Sequence, residues 1–125
     1  MNISEIRVLI GDDSILARKQ MKDILEEVGV KNIEEAANGQ EVVEKFRSFK
    51  PDIVFLDIVM PVKDGTVAIS DICAEFPDAE IIVISSVGTQ SYLKQAILNG
   101  AKDFVQKPIS SSKIEEILLS RFERS

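Results

Sequence analysis

The fold is indicated by the stretch Ile53-Val54-Phe55-Leu56-Asp57, in which four apolar residues are followed by one acid. Apolar side chains at consecutive positions are typical of a strand that is buried on both faces, as in a parallel sheet covered by helices. Asp57 then stands at the carboxyl end of that strand. Because ligands of open parallel sheets bind outside these strand ends, Asp57 is a candidate functional residue.

Three other strand-like runs also end in polar residues. The carboxyl ends of parallel strands meet at one edge of the sheet, so we expect these polar side chains to lie close to Asp57. Together they would form a group of three acids, one hydroxyl and one amine. The runs and the polar residues that follow them are 6–10 with Asp12 and Asp13, 81–84 with Ser85, and 103–106 with Lys107.

Helix-period segments separate these strands. The first follows Ser14, a residue that can cap a helix, and Gly29 can end it. Pro51 ends the second segment. Five strand–helix units in order predict a doubly wound α/β fold with one parallel sheet and helices on both faces. The expected apolar helix faces are Met21, Ile24, Leu25 and Val28; Val42, Val43, Phe46 and Phe49 after Asn38-Gly39; Ile69, Ile72, Cys73 and Phe76 in 65–76; Leu93, Ala96 and Ile97 in 90–99; and Ile114, Ile117, Leu118 and Phe122 in 110–124, while 33–37 is a weaker strand candidate.

The composition excludes several classes of function. The chain has 125 residues, a formal net charge of −6, no histidine and one cysteine. Without histidine, a Ser-His-Asp triad, a histidine-based zinc site and a phosphohistidine of the chain's own are excluded. The acidic balance disfavours direct binding to nucleic acid, and the length predicts one domain over residues 1–125. The apolar runs are far shorter than the roughly 20 residues that span a membrane, and no signal sequence is visible, so we expect a cytoplasmic protein.

The predicted group of side chains suits Mg²⁺-assisted transfer of a phosphoryl group onto Asp57. Carboxylates that share a small volume repel one another unless a cation joins them, and Mg²⁺ prefers oxygen ligands. The transferring phosphoryl group spreads its charge over three oxygens, and Mg²⁺, Lys107 and Ser85 would offer one partner for each. Each residue also has an ordinary interpretation. Asp12 and Asp13 are also typical of helix caps, Lys107 of a solvated lysine, and Ser85 of a turn hydroxyl.

Over essentially its whole length, the chain resembles a receiver domain of a two-component response regulator, most closely the single-domain chemotaxis (CheY-like) type. The resemblance implies a flavodoxin-like (βα)5 fold with the strand order 2-1-3-4-5. A cis bond before Pro108 is compatible with the reduced trans preference of such bonds. The motifs that carry the resemblance are Asp12-Asp13-Ser14, 57–65, Ile84-Ser85-Ser86, 100–104 and Lys107-Pro108.

The resemblance implies a role for each residue around the acceptor. Asp57 would accept the phosphoryl group, and Asp13 and Asp57 would bind Mg²⁺ directly. Asp12 would act largely through water, and the backbone carbonyl of Val59 would be a further ligand. Lys107 would contact the phosphoryl group after transfer.

The resemblance also implies a switch and two partners. Ser85 would be the switch hydroxyl, and Phe104 would be an aromatic residue that changes between outward and inward rotamers. A histidine kinase would supply the phosphate. The surface formed by the 90–99 helix, the 103–106 strand and the 112–123 helix, with Tyr92 as a candidate contact, would bind a target such as a flagellar switch protein. We expect a monomer with no direct nucleic-acid or membrane partner.

Four positions depart from the pattern of the family. Ser86 is larger and more polar than the usual residue, which would narrow the path to Asp57. Gly11 stands where valine is common, which would loosen the end of that strand. Val59 and Val87 are apolar where relatives often carry groups that orient water, so we expect slow self-dephosphorylation.

Other functions remain as alternatives. The chain would also suit an excised receiver module of a larger regulator, for example a transcriptional one. An aspartyl-phosphate phosphatase is less favoured, because that chemistry wants a second acid at the position of Val59. A flavin-binding redox protein is disfavoured because Asp12 and Asp13 would repel the flavin phosphate, and a nucleotide switch because no Gly-rich P-loop is present.

Overall fold

Five parallel strands form one sheet in the computed structural model, which describes residues 1–60, 62–86 and 90–124, with only the backbone at Gln90. The strand order is β2-β1-β3-β4-β5, so the predicted flavodoxin-like fold and its order are confirmed. The strands are β1 (Arg7–Gly11), β2 (Asn32–Ala36), β3 (Ile53–Asp57), β4 (Ile81–Ser85) and β5 (Asp103–Gln106), and the helices are α1 (Ile15–Val28), α2 (Gly39–Phe49), α3 (Gly65–Glu75), α4 (Gln90–Asn99) and α5 (Ser111–Leu119).

Alternate residues of the three central strands, β1, β3 and β4, enter two separate cores, one on each face of the sheet. One core lies between the sheet and α2, α3 and α4, and the other lies between the sheet and α1 and α5. In β3, for example, Val54 and Leu56 enter the first core, whereas Ile53 and Phe55 enter the second. The pattern of continuous apolar strands therefore has the cause predicted for it, burial on both faces.

Polar side chains begin the helices at the edge of the sheet where the strands end. Each N-cap side chain accepts a backbone N–H from the first helical turn, which satisfies a donor that the helix leaves free. Gly29 ends α1 with a φ of 116°, a left-handed conformation that suits glycine. The observed N-caps are Ser14 for α1, Asn38 for α2, Asp64 for α3 and Ser110 for α5.

The structure corrects two details of the predicted helices. Ile97 was expected to point inward, but it is 42% exposed, because α4 turns Ala96 rather than Ile97 toward the core. The last helix was expected to reach residue 124 but ends at Leu119. The chain then leaves the helix and pairs with the amino terminus, where the Ile3 N–H donates to the Glu123 carbonyl at 2.8 Å.

Within the described ranges, none of the helices combines the length and the apolar character that a membrane span requires.

Candidate functional site

Three carboxylates converge at the carboxyl edge of the sheet. One oxygen from each of Asp12, Asp13 and Asp57 lies within 4.8 Å of the others. The register explains this convergence, because Gly11 at the end of β1 pairs with Leu56 of β3, and the acids come next in both strands. The three residues differ in exposure, since Asp12 is buried with only 3% of its surface exposed, Asp57 is partly buried and Asp13 is exposed.

Backbone groups hold two of these acids in place. Asp12 Oδ1 accepts the Ser14 N–H at 2.9 Å, and the backbone N–H of Asp12 donates to the Ala36 carbonyl at 3.1 Å. Asp57 Oδ1 accepts the Val59 N–H at 3.2 Å. Ser14, rather than either acid, caps α1. Asp12 therefore takes part in the turn before the helix while its second oxygen, Oδ2, remains directed to the site.

Lys107 brings an ammonium group to the same place. Its Nζ lies 3.6 Å from Asp12 Oδ2 and 3.6 Å from Asp57 Oδ2. The backbone N–H of Lys107 donates to the Ser85 carbonyl at 2.8 Å, which ties the residue after β5 to the end of β4. The Lys107–Pro108 peptide bond is cis. The residues that the sequence placed at three separate strand ends thus form one cluster.

The charges of this cluster do not balance. The pKa of Asp57 lies above its ordinary value, chiefly because burial disfavours the charged form and also because the Asp12 carboxylate repels it. The Val59 N–H and the Lys107 ammonium lower the pKa of Asp57, but they do not outweigh burial and repulsion. Three carboxylates face one ammonium group, so a hard divalent cation with oxygen ligands fits the donor set.

Ser85 and Phe104 lie on neighbouring strands, one step from the acids. Ser85 pairs with Gln106 and Phe104 pairs with Val83, so both side chains are on the α4 side of the sheet. Ser85 is only 4% exposed, whereas Phe104 is 46% exposed and its side chain therefore points outward. Among the described residues, the Ser85 hydroxyl makes no hydrogen bond to Asp57. The structure brings Ser85 to the strand end beside Asp57 but not into a hydrogen bond with it.

Comparison with known proteins identifies the family. The model of the response regulator receiver domain matches residues 8–119. The chain belongs to the response regulator receiver family. It is similar to the chemotaxis protein CheY of Thermotoga maritima, with 46% identity over 112 residues, which are 90% of this chain and 93% of that protein. As a CheY-like receiver domain of two-component systems, it is a switch protein rather than a classical enzyme.

Two further relatives show the range of proteins that carry such receiver domains. A chain in the crystal structure of the CheX-CheY-BeF3-Mg²⁺ complex from Borrelia burgdorferi is 37% identical, with a TM-score of 0.84, and the match covers 92% of this chain and 87% of that chain. A protein-glutamate methylesterase/protein-glutamine glutaminase of Methanosarcina mazei is 42% identical over 106 residues, which are 82% of this chain but 29% of that protein.

Sequence reasoning missed one residue of this receiver site. The Arg18 guanidinium donates to the backbone carbonyl of Asp12 at 2.7 Å and to Glu35 at 3.2 Å. Its side chain is only 15% exposed. The available signal was weak, because Arg18 stands one helical turn after the cap Ser14, where an arginine is ordinary.

The positions that depart from the family pattern have different outcomes. Gly11 is paired on both sides within β1, and Val42 and Leu56 fill the space beside its Cα, while the effect of glycine on the mobility of this strand end stays a prediction. Val59 is 48% exposed beside Asp57. Ser86 is partly buried, and its effect on access to Asp57 stays a prediction. Val87 lies outside the described residues.

Proposed function

We propose that residues 1–125 act as one receiver domain that accepts a phosphoryl group on Asp57 from the phosphohistidine of a partner kinase. The observation that carries this proposal is the cluster in which Asp12, Asp13 and Asp57 meet the ammonium group of Lys107. Phosphoryl transfer depends mainly on positioning and on neutralising charge, and this cluster offers groups for both.

In the proposed reaction, a carboxylate oxygen of Asp57 forms a bond to phosphorus while the bond from phosphorus to the donor's imidazole nitrogen breaks. The imidazole leaves with the bonding electrons and takes up a proton. Lys107, which is 3.6 Å from Asp57 Oδ2, neutralises charge on a phosphoryl oxygen. The Ser85 hydroxyl donates to another oxygen once it has moved toward the acceptor.

The donor set is suited to Mg²⁺. Asp13 and Asp57 would bind the ion directly, Asp12 largely through water, and Val59 through its backbone carbonyl. When bound, Mg²⁺ supplies positive charge for the phosphoryl oxygens that Lys107 and Ser85 do not reach. The cation would also remove the repulsion that raises the pKa of Asp57.

Phosphorylation would then shift the population of two conformations. With Ser85 drawn toward the acceptor, the outward side chain of Phe104 would turn inward behind it, because the two residues share one side of the sheet. The surface of α4, β5 and α5, including the exposed Tyr92, would change and bind a protein target. Similarity to CheY supports a target in chemotaxis, such as a flagellar switch protein. The proposal includes a cytoplasmic monomer that does not itself bind nucleic acid or membrane.

A mass measurement tests the acceptor. Incubation with Mg²⁺ and acetyl phosphate should add one phosphoryl group to the intact chain, and Asp57→Asn should abolish the gain. Asp78→Asn is the matched control, because Asp78 is an exposed acid in the turn before β4, at the opposite edge of the sheet. A wild-type chain that gains no mass, or an Asp57→Asn variant that gains as much, would show the proposal to be wrong.

An NMR titration tests the switch. Beryllofluoride with Mg²⁺ should shift signals of Phe104, Tyr92 and the residues around them as well as those of the acids. Shifts that stay within the acidic cluster would contradict the proposed coupling.

The rate of phosphate loss tests the role of the two apolar positions. With Val59 and Val87 unable to orient water, the acyl phosphate should decay slowly for this family. A Val59→Asn, Val87→Glu variant should lose it faster in a time course followed by intact mass. An unchanged decay rate would reject this explanation.

One alternative has a specific observation in its favour. The methylesterase of Methanosarcina mazei carries the similar segment as only 29% of its length. The chain would then be the receiver part of a larger regulator, and the phosphorylated surface would act on an attached domain instead of a separate target.

A further inference from the structure

We propose that Arg18 is a positioning residue for the metal site, because it fixes the peptide group that joins Asp12 to Asp13. This inference rests on the proposed function, since it concerns how the acids hold Mg²⁺. The Arg18 side chain folds back from the second turn of α1 and joins three parts of the fold. Its Nη1 donates to the Asp12 carbonyl at 2.7 Å, and its Nε donates to Glu35 of β2 at 3.2 Å.

The Asp12 carbonyl controls more than its own position. It belongs to the planar peptide group whose N–H is that of Asp13, so a bond to this oxygen fixes the orientation of both residues. The bond from the Ser14 N–H to Asp12 Oδ1 closes a ring that contains this peptide group, and Arg18 adds a second restraint at its oxygen. Arg18 therefore helps to set how far apart the two neighbouring carboxylates lie when they share a cation.

Arginine suits this task better than lysine. The guanidinium is planar and donates from two different nitrogens at once, here to a carbonyl on one side and a carboxylate on the other. Glu35 is itself held, because Lys45 of α2 donates to its backbone carbonyl. The contacts that hold Arg18 thus continue through Glu35 of β2 to Lys45 of α2.

Electrostatics and positioning predict opposite changes in Mg²⁺ affinity when Arg18 is replaced. Removing the guanidinium leaves the Glu35 charge unpaired and makes the region more negative, which by itself would tighten the binding of a cation. Releasing the Asp12 carbonyl would instead weaken binding, and partners that orient metal ligands typically matter by 10-fold or more, so we expect a loss on the order of 10-fold.

The experiment measures Mg²⁺ affinity directly, by an NMR titration of the unphosphorylated chain. Arg18→Gln should bind Mg²⁺ on the order of 10-fold more weakly than the wild type. Arg18→Lys keeps the charge but not the two-sided donor, so it should keep most of the defect. Arg121→Gln is the matched control. Arg121 is similarly buried and also bridges a carbonyl and a carboxylate, those of Ile117 and Glu80, but at the opposite edge of the sheet.

The outcomes separate the two proposals. A wild-type chain that does not bind Mg²⁺ would reject the proposed function and this inference with it. A wild type that binds, together with Arg18→Gln that binds equally or more tightly, would overturn only the role of Arg18. The same holds if Arg121→Gln weakens binding as much, or if Arg18→Lys restores it fully. If Arg18→Gln does not fold, Arg18→Lys decides, since an unchanged Mg²⁺ affinity in that variant would also overturn the role.

Discussion

Replacing Gly39 with alanine should destabilise the fold, although alanine is the better helix former. Gly39 is the first residue of α2, and its φ is not in the left-handed region, so an alanine backbone would fit there. In an open helix the change would gain up to about 1 kcal/mol. In this chain, however, the loop between β3 and α3 crosses directly over Gly39, and its contact decides the sign.

The distances give the size of the effect. A Cβ added at Gly39 would overlap the backbone carbonyl oxygen of Lys63 and would lie 2.6 Å from its carbonyl carbon, where ordinary contact begins near 3.4 Å. The loop would have to retreat by at least the shortfall at that carbon, about 0.8 Å, and by more at the oxygen. Overpacking costs about 1–3 kcal/mol, and overlap with a backbone oxygen belongs at the upper end, so after a gain of up to about 1 kcal/mol in helix propensity we expect a net loss of about 2 kcal/mol.

Urea unfolding of Gly39→Ala beside wild type and Gln40→Ala measures this loss. Gln40 is the next residue of the same helix and is exposed, so its replacement should change the unfolding free energy by less than about 0.5 kcal/mol. If Gly39→Ala is as stable as the wild type, or more stable, the contact with Lys63 does not constrain the loop.

Three further predictions concern charge and backbone strain, each measured by urea unfolding without Mg²⁺. Because burial and then Asp12 raise the pKa of Asp57 in the folded chain, its carboxylate opposes folding at pH 7, and this effect disappears as the pH falls toward the ordinary value of 3.8. Asp57→Asn should therefore be more stable than the wild type at pH 7, and a gain that does not shrink in acid would contradict this. The pKa of Asp64 is lowered, chiefly by the hydrogen bond from Thr66. Asp64→Ala should therefore lower the free energy of unfolding by about 1 kcal/mol at pH 7, and by less in acid, where the wild-type carboxylate becomes protonated. An equal loss at pH 7 and in acid would contradict this. Val62 is exposed and has a φ of 68°, a left-handed conformation that costs a β-branched residue about 1–2 kcal/mol. Val62→Gly should therefore be more stable by about 0.5–1 kcal/mol, because glycine adopts this conformation without strain. A less stable variant would argue against backbone strain at this position.

The parts of the site that the sequence predicted are those that topology determines. Once the strands are parallel, their carboxyl ends share one edge, and Asp12 and Asp13 lie beside Asp57 because β1 neighbours β3. Lys107 follows β5, two strands from β3, and its long side chain brings the ammonium group to the acids. The caps of α1 were also readable, because Ser14 and Gly29 each act within their own turn. Local patterns therefore sufficed for the fold order and for the members of the cluster.

The errors have a common physical cause in contacts between distant parts of the chain. Ile97 fits a helical apolar stripe, yet it is exposed because α4 covers the sheet with a narrower stripe that includes Ala96. The expected final helical turn is replaced by pairing of Glu123 with Ile3. In both cases the local pattern was correct as a tendency, and the tertiary partner decided the outcome.

Sheet topology brings the acids together, but contacts between distant parts of the chain determine the distances between them. Topology brings the carboxylates within several ångströms, but binding of Mg²⁺ requires a closer and more regular arrangement. Contacts from the flanking helices restrain the loops beside the acids, because Arg18 of α1 binds the loop after β1, and Gly39 of α2 lies against the loop after β3. The dipeptide Asn38-Gly39 reads locally as a turn signal, although the glycine is needed for a contact with a residue 24 positions away, Lys63. Substitutions at 18 and 39 should therefore alter Mg²⁺ affinity in chains that keep the fold, as an NMR titration measures, and unchanged affinity in both variants would contradict this.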